Sequence, residues 1–138
     1  MKTLEEIWPD IKEDTYWFKN GPNGYRDLID TFGYEVVVEK HEGSYCGDSF
    51  YAFKDGNRYG FLSFGWGSCS GCDWFESVVG NLEETRKLQE SLFNDIKWFY
   101  NKEQLLIWLS DEKVQKGKFY WSESLWHEFR ELVKNSPE

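Results

Sequence analysis

The chain has 138 residues, and 16 Lys and Arg against 25 Asp and Glu leave a net charge of −9. No basic cluster is present to displace the counterions of a phosphate backbone, so direct nucleic-acid binding is not expected. No segment approaches the roughly 18 apolar residues of a bilayer span, and the amino terminus has no apolar run of signal-peptide length, so a cytoplasmic protein with no membrane partner is expected.

The length suits one compact domain. Hydrophobic residues make up 40% of the chain, and half of these are the 8 Trp, 8 Tyr and 11 Phe. Each Trp and Tyr carries a polar tip that seeks a partner or water, so some rings are expected at the surface. Three cysteines do not suggest a secreted disulfide framework, and reduced thiols are expected. Residues 1–39 hold nine acidic side chains against four basic ones, a net of −5, while the other 99 residues carry −4.

In chain order, TLEE from Thr3 to Glu6 has the spacing of a capping box, and Pro9 limits the helix it starts. KNGPNG reads as a loop, and YRDLIDTFG as a helix presenting Leu28, Ile29 and Phe32 and closed by Gly33. YEVVVEKHE changes to a two-residue period with a β-branched run, which favours a pleat over a helix. DSFYAFKDGNRYGFLSFGW then gives two aromatic runs around Asp55-Gly56, a strong hairpin signal because such turns need positive φ. Three antiparallel strands are expected near 34–40, 47–54 and 58–66.

A glycine- and cysteine-rich bend, FGWGSCSGCD, follows. Asn81 with Glu84 opens a helix over about 82–98 on which Leu88, Leu92, Ile96 and Phe99 recur at helical spacing, and Asn101 with Gln104 opens another over about 102–110. KGKFYW is a candidate fourth, edge strand, and Ser122 caps a last helix with Leu125, Phe129 and Leu132 on one face. The expected fold is a single α+β domain, a three- or four-stranded antiparallel meander with helices packed on one face. Its parts are an acidic, aromatic helical segment at 1–33, the meander at 34–66, the bend at 67–80 and a helical part at 81–135.

The bend poses the main chemical question. A structural zinc site takes four N or S ligands, and Cys69 and Cys72 would need Cys46 with His41 or His127 to complete a set. A thioredoxin-type couple would need parallel βαβ units and a proline facing the cysteines, and no proline lies between residues 22 and 137. The simpler reading is a tight turn, in which the glycines and serines bend the backbone and the cysteines pack as small hydrophobes. Such a turn gathers Trp66, Asp73, Trp74 and Phe75 at one end of the sheet, as a core plug or as a binding surface. In the amino-terminal segment, Asp10, Glu13 and Asp14 beside Trp17 could steer and anchor a partner with a basic groove, or simply keep an aromatic protein soluble. No G-x-S-x-G, H-E-x-x-H, P-loop or dinucleotide fingerprint occurs, and Asp48, Asp55 and Asp73 are more simply turn formers than an acid pair. Catalytic residues, a metal and a cofactor are therefore not expected.

The run GDSFYAFKDGNRYGFLSFGWGSCSGCD, followed by LFNDIKWF and by FYW before the last helix, resembles a group of small, functionally uncharacterised bacteriophage-encoded proteins. The resemblance covers roughly residues 47 to 130, leaves out the acidic amino-terminal segment and brings no activity with it. It implies a setting, that of a phage-like accessory protein of the bacterial cytosol. In that setting the expected function is non-catalytic binding of a host or phage protein, such as inhibition of a defence factor or nuclease through the acidic surface. The alternative is a small zinc- or thiol-dependent enzyme or sensor centred on the bend.

Overall fold

The computed structural model describes residues 1–7, 22–43, 47–66, 82–111 and 123–137. The elements in order are α1 (Leu4–Ile7), α2 (Pro22–Asp30), β1 (Glu35–Gly43), β2 (Gly47–Asp55), β3 (Arg58–Trp66), α3 (Leu82–Asn94), β4 (Lys97–Phe99), α4 (Lys102–Leu109) and α5 (Glu123–Lys134). The fold is α+β, and its sheet is an antiparallel meander of order β1-β2-β3-β4. By contacts the chain divides into two compact units, one of Met1–Tyr34, His41–Ser49 and Ser63–Ile96, the other of Glu35–Lys40, Phe50–Leu62 and Lys97–Glu138.

Local chemistry accounts for most boundaries. The Glu6 amide donates to the Thr3 hydroxyl at 3.3 Å, so Thr3 caps α1 as its spacing predicts. Gly33 follows α2 with φ of 83°, a left-handed conformation that costs glycine no Cβ clash. At the β2–β3 turn Gly56 has φ of 61°, and Asp55 and Arg58, which close the turn, form an ion pair at 2.7 Å.

Two expectations are corrected. The helix expected to run to about residue 98 stops at Asn94, where the Asp95 amide is shared between the Ser91 and Leu92 carbonyls at 3.0 and 3.2 Å. Residues 97–99 are instead the fourth strand, with Lys97, Trp98 and Phe99 opposite Phe61, Gly60 and Tyr59. KGKFYW, the expected candidate for a fourth strand, lies outside the described residues. On α5 the buried positions are Trp126, Phe129 and Val133, and Leu132 is 46% exposed. Phe129 is thus buried as expected, Val133 takes the inner position expected of Leu132, and the Leu125 side chain lies outside the described residues.

In the first unit, α2 and α3 pack together, with Leu28, Ile29, Leu88 and Leu92 buried. Phe93 meets Phe32 edge-on at 5.4 Å and lies nearly parallel to Tyr34 at 6.1 Å. Leu4 is fully buried, and Arg86 of α3 pairs with Glu5. In the second unit, Val38, Phe50, Ala52, Tyr59 and Phe61 of the sheet pack against Leu105 and Leu109 of α4 and Trp126, Phe129 and Val133 of α5. Phe61 joins these helices, lying 5.5 Å from Phe129, 5.9 Å from Trp126 and 5.2 Å from Trp108. The Trp126 indole N–H donates to the Leu109 carbonyl, so this ring is buried with its polar tip satisfied.

Candidate functional site

Of the residues expected to form a binding surface at the bend, Trp66 is described, and Asp73, Trp74 and Phe75 lie outside the described residues, as do Asp10, Glu13, Asp14 and Trp17. Trp66 ends β3 and is 8% exposed. Its ring is held against Gly47, where a Cβ would stand 2.9 Å from the indole and would overlap the Glu42 carbonyl oxygen. Only glycine fits this approach. The indole N–H is buried and meets no acceptor among the described residues. Trp66 is a packed ring in this arrangement.

His41, a ligand in the zinc alternative, stands in the same unit with its Nδ1 at 2.7 Å from the Ser49 hydroxyl. Ser49 is buried and His41 half-buried, so the pair ties β1 to β2 from the inner side of the hydroxyl. Neighbouring Asp48 is partly buried, and loss of water pushes its carboxyl above the ordinary value. Cys46, Cys69 and Cys72 lie outside the described residues, and among the described residues no three His, Cys, Asp or Glu side chains stand together as a metal site.

The second unit carries a surface that the sequence did not single out. Strand alternation puts Trp98 across from Gly60, whose missing side chain leaves the indole face open to the Arg58 guanidinium 3.9 Å away. Arg58 is also fixed by Asp55, which accepts from Nε at 2.9 Å and from Nη2 at 2.7 Å. On the opposite parity Lys97 lies over the Phe99 and Trp108 rings at 5.7 and 5.8 Å. Tyr100 follows the strand and is 90% exposed, by far the barest ring among the described residues. The register of a three-residue edge strand creates this surface, so residue-by-residue periodicity gave no signal for it.

Beside Tyr100 opens a cavity of about 520 Å³ lined by Lys54, Asn57, Tyr59, Tyr100, Asn101, Lys102 and Glu103. The hairpin supplies the first three, and the β4–α4 junction supplies the rest. Asn101 is extended, with φ of −158° and ψ of 176°, and its side chain accepts from the Gln104 amide at 2.9 Å, the cap its spacing predicts. Lys102 donates to the Ser136 carbonyl at 2.6 Å, which anchors its ammonium at the wall.

Among the described residues no helix is long and apolar enough to cross a membrane. No protein-family model, no curated protein and no solved structure matches the chain.

Proposed function

We propose that this chain is a non-catalytic, phage-like accessory protein of the bacterial cytosol that binds a host or phage protein. The observation that carries the reading is the surface at the β4 edge, where Tyr100 is 90% exposed beside a Trp98 ring stacked under Arg58. Tyr, Trp and Arg are the side chains that most often dominate the energy of protein interfaces, because each buries a large rigid area and offers a directed polar group. Arg58 and Trp98 hold each other in place before any partner arrives, which lowers the entropy lost on binding.

The acidic charge gives the reading its finer form. A net charge of −9 attracts a partner with a basic groove, as a nuclease or a nucleic-acid-binding defence factor has, and occupying that groove inhibits it. Asp10, Glu13 and Asp14, with Trp17 beside them, are the acidic residues proposed to make that contact.

The test captures host proteins on the tagged chain and compares two variants with it. Trp98→Ala with Tyr100→Ala is expected to lower recovery of the specific partner at least about tenfold, the loss of a hot spot. Glu13→Lys with Asp14→Lys is expected to lower it at low salt and at raised salt alike. A partner recovered equally by all three proteins would overturn the proposal, and one lost only with the first pair would remove the acidic contact from it.

A further inference from the structure

We infer that the cavity between the hairpin and the β4–α4 junction is a binding site for a small organic anion carrying a planar ring, with nucleoside monophosphates as the ligand class. Its volume of about 520 Å³ falls within the range that small-molecule sites occupy.

The chemistry of its wall selects the ligand. The hairpin carries two cations near its tip, and they have different fates. Arg58 is spent on Asp55 and on the Trp98 ring. Lys54 lines the cavity and has neither an ion pair nor a hydrogen bond among the described residues. Lys102 faces the same cavity with one ammonium proton given to the Ser136 carbonyl, so two donors remain for a ligand. Two ammonium groups against the one carboxylate of Glu103 leave the wall with a net positive charge, which favours a small anion. The start of α4, an eight-residue helix, adds its positive end at the same wall.

The remaining wall groups fit the rest of such a ligand. Tyr100 offers a bare ring for stacking, Asn57 offers an amide with both donor and acceptor, and the Glu103 carboxylate can accept from ribose hydroxyls. A polymeric phosphate is a poor ligand for the same chain, because the net charge of −9 repels a long polyanion while one small anion interacts mainly with the cavity.

The site shares Tyr100 with the protein-binding surface and is told apart from it by the other residues, since Trp98 and Arg58 do not line the cavity and Lys54 is not part of the stacked pair. The experiment is calorimetric titration of the full chain with adenosine monophosphate, adenosine, inorganic phosphate and a short single-stranded oligonucleotide. Adenosine monophosphate is expected to bind one per chain, with adenosine and phosphate each weaker by about tenfold or more, as each lacks one half of the recognition. Lys54→Gln and Tyr100→Ala are each expected to weaken it about tenfold at unchanged melting temperature, with Trp98→Ala leaving it unaltered. No binding of adenosine monophosphate, or undiminished binding by Lys54→Gln, would overturn the inference. Phosphate binding as tight as the nucleotide would refute the ring requirement, and tighter binding of the oligonucleotide would refute the restriction to small anions.

Discussion

Replacing Gln89 by Met tests whether the first unit is held by a buried polar link as well as by apolar packing. Gln89 is 4% exposed on α3, and its Nε2 donates to the Lys2 carbonyl at 3.0 Å and to the Thr31 hydroxyl at 2.7 Å. The Thr31 hydroxyl in turn donates to the Leu28 carbonyl at 2.5 Å, and the Lys2 amide donates to the Thr31 carbonyl at 2.7 Å. One amide therefore ties residues before α1 to the end of α2. Met keeps the length and volume of the side chain and removes both donors. Each bond contributes about 1 kcal/mol net, so a loss of about 2 kcal/mol is expected. Lys2 is exposed, so water can reach its carbonyl and the penalty for an orphaned group is small there. For a chain of this size the loss corresponds to a fall in melting temperature of roughly 6–10 °C.

Thermal and urea unfolding followed by near-ultraviolet circular dichroism would measure it. Thr31→Val in the same background supplies the other side of a double-mutant cycle, with a coupling of at least about 0.5 kcal/mol expected because the two side chains share a hydrogen bond. A Gln89→Met protein within about 0.5 kcal/mol of the parent would refute the argument, since that is the range of an ordinary surface substitution.

Gly47→Ala is expected to destabilise the fold by about 1–3 kcal/mol, because the added methyl overlaps the Glu42 carbonyl oxygen and presses on the Trp66 ring. Unchanged unfolding in urea would show that the close approach is not needed. Burial raises the Asp48 carboxyl above its ordinary 3.8, so the unfolded chain ionises first as the pH rises, and ionised Asp48 lowers stability at neutral pH. Asp48→Asn is therefore expected to raise the melting temperature at neutral pH, with a gain that shrinks as the pH falls toward 3.8. The same gain at both ends of that interval would exclude the titration as its cause. Elemental analysis of the purified chain is expected to find no zinc, and one zinc per chain that disappears with Cys72→Ser would favour the metal-dependent alternative.

What the sequence determined by itself is the set of features decided within a few residues. The Thr3 and Asn101 caps, the Gly33 stop and the Asp55-Gly56 turn depend on local hydrogen bonds and on φ values that neighbouring residues cannot alter. The alternating runs flanking that turn pair because the turn places them side by side, so the α+β meander was legible. Tertiary structure alone decided where α3 ends and β4 begins. Ile96 and Phe99 continue a helical spacing, yet pairing of Lys97, Trp98 and Phe99 with β3 draws these residues onto the sheet edge. Such pairing joins residues almost 40 positions apart, which no local pattern records. It also decided the phase of α5, where the choice between Leu132 and Val133 rests on the fit of Trp126 beneath Phe61 and Leu109. The cavity with Lys54 and Lys102 belongs to the same class. The two lysines share a wall because β4 sits beside the hairpin, a consequence of long-range packing that their spacing in the chain does not encode.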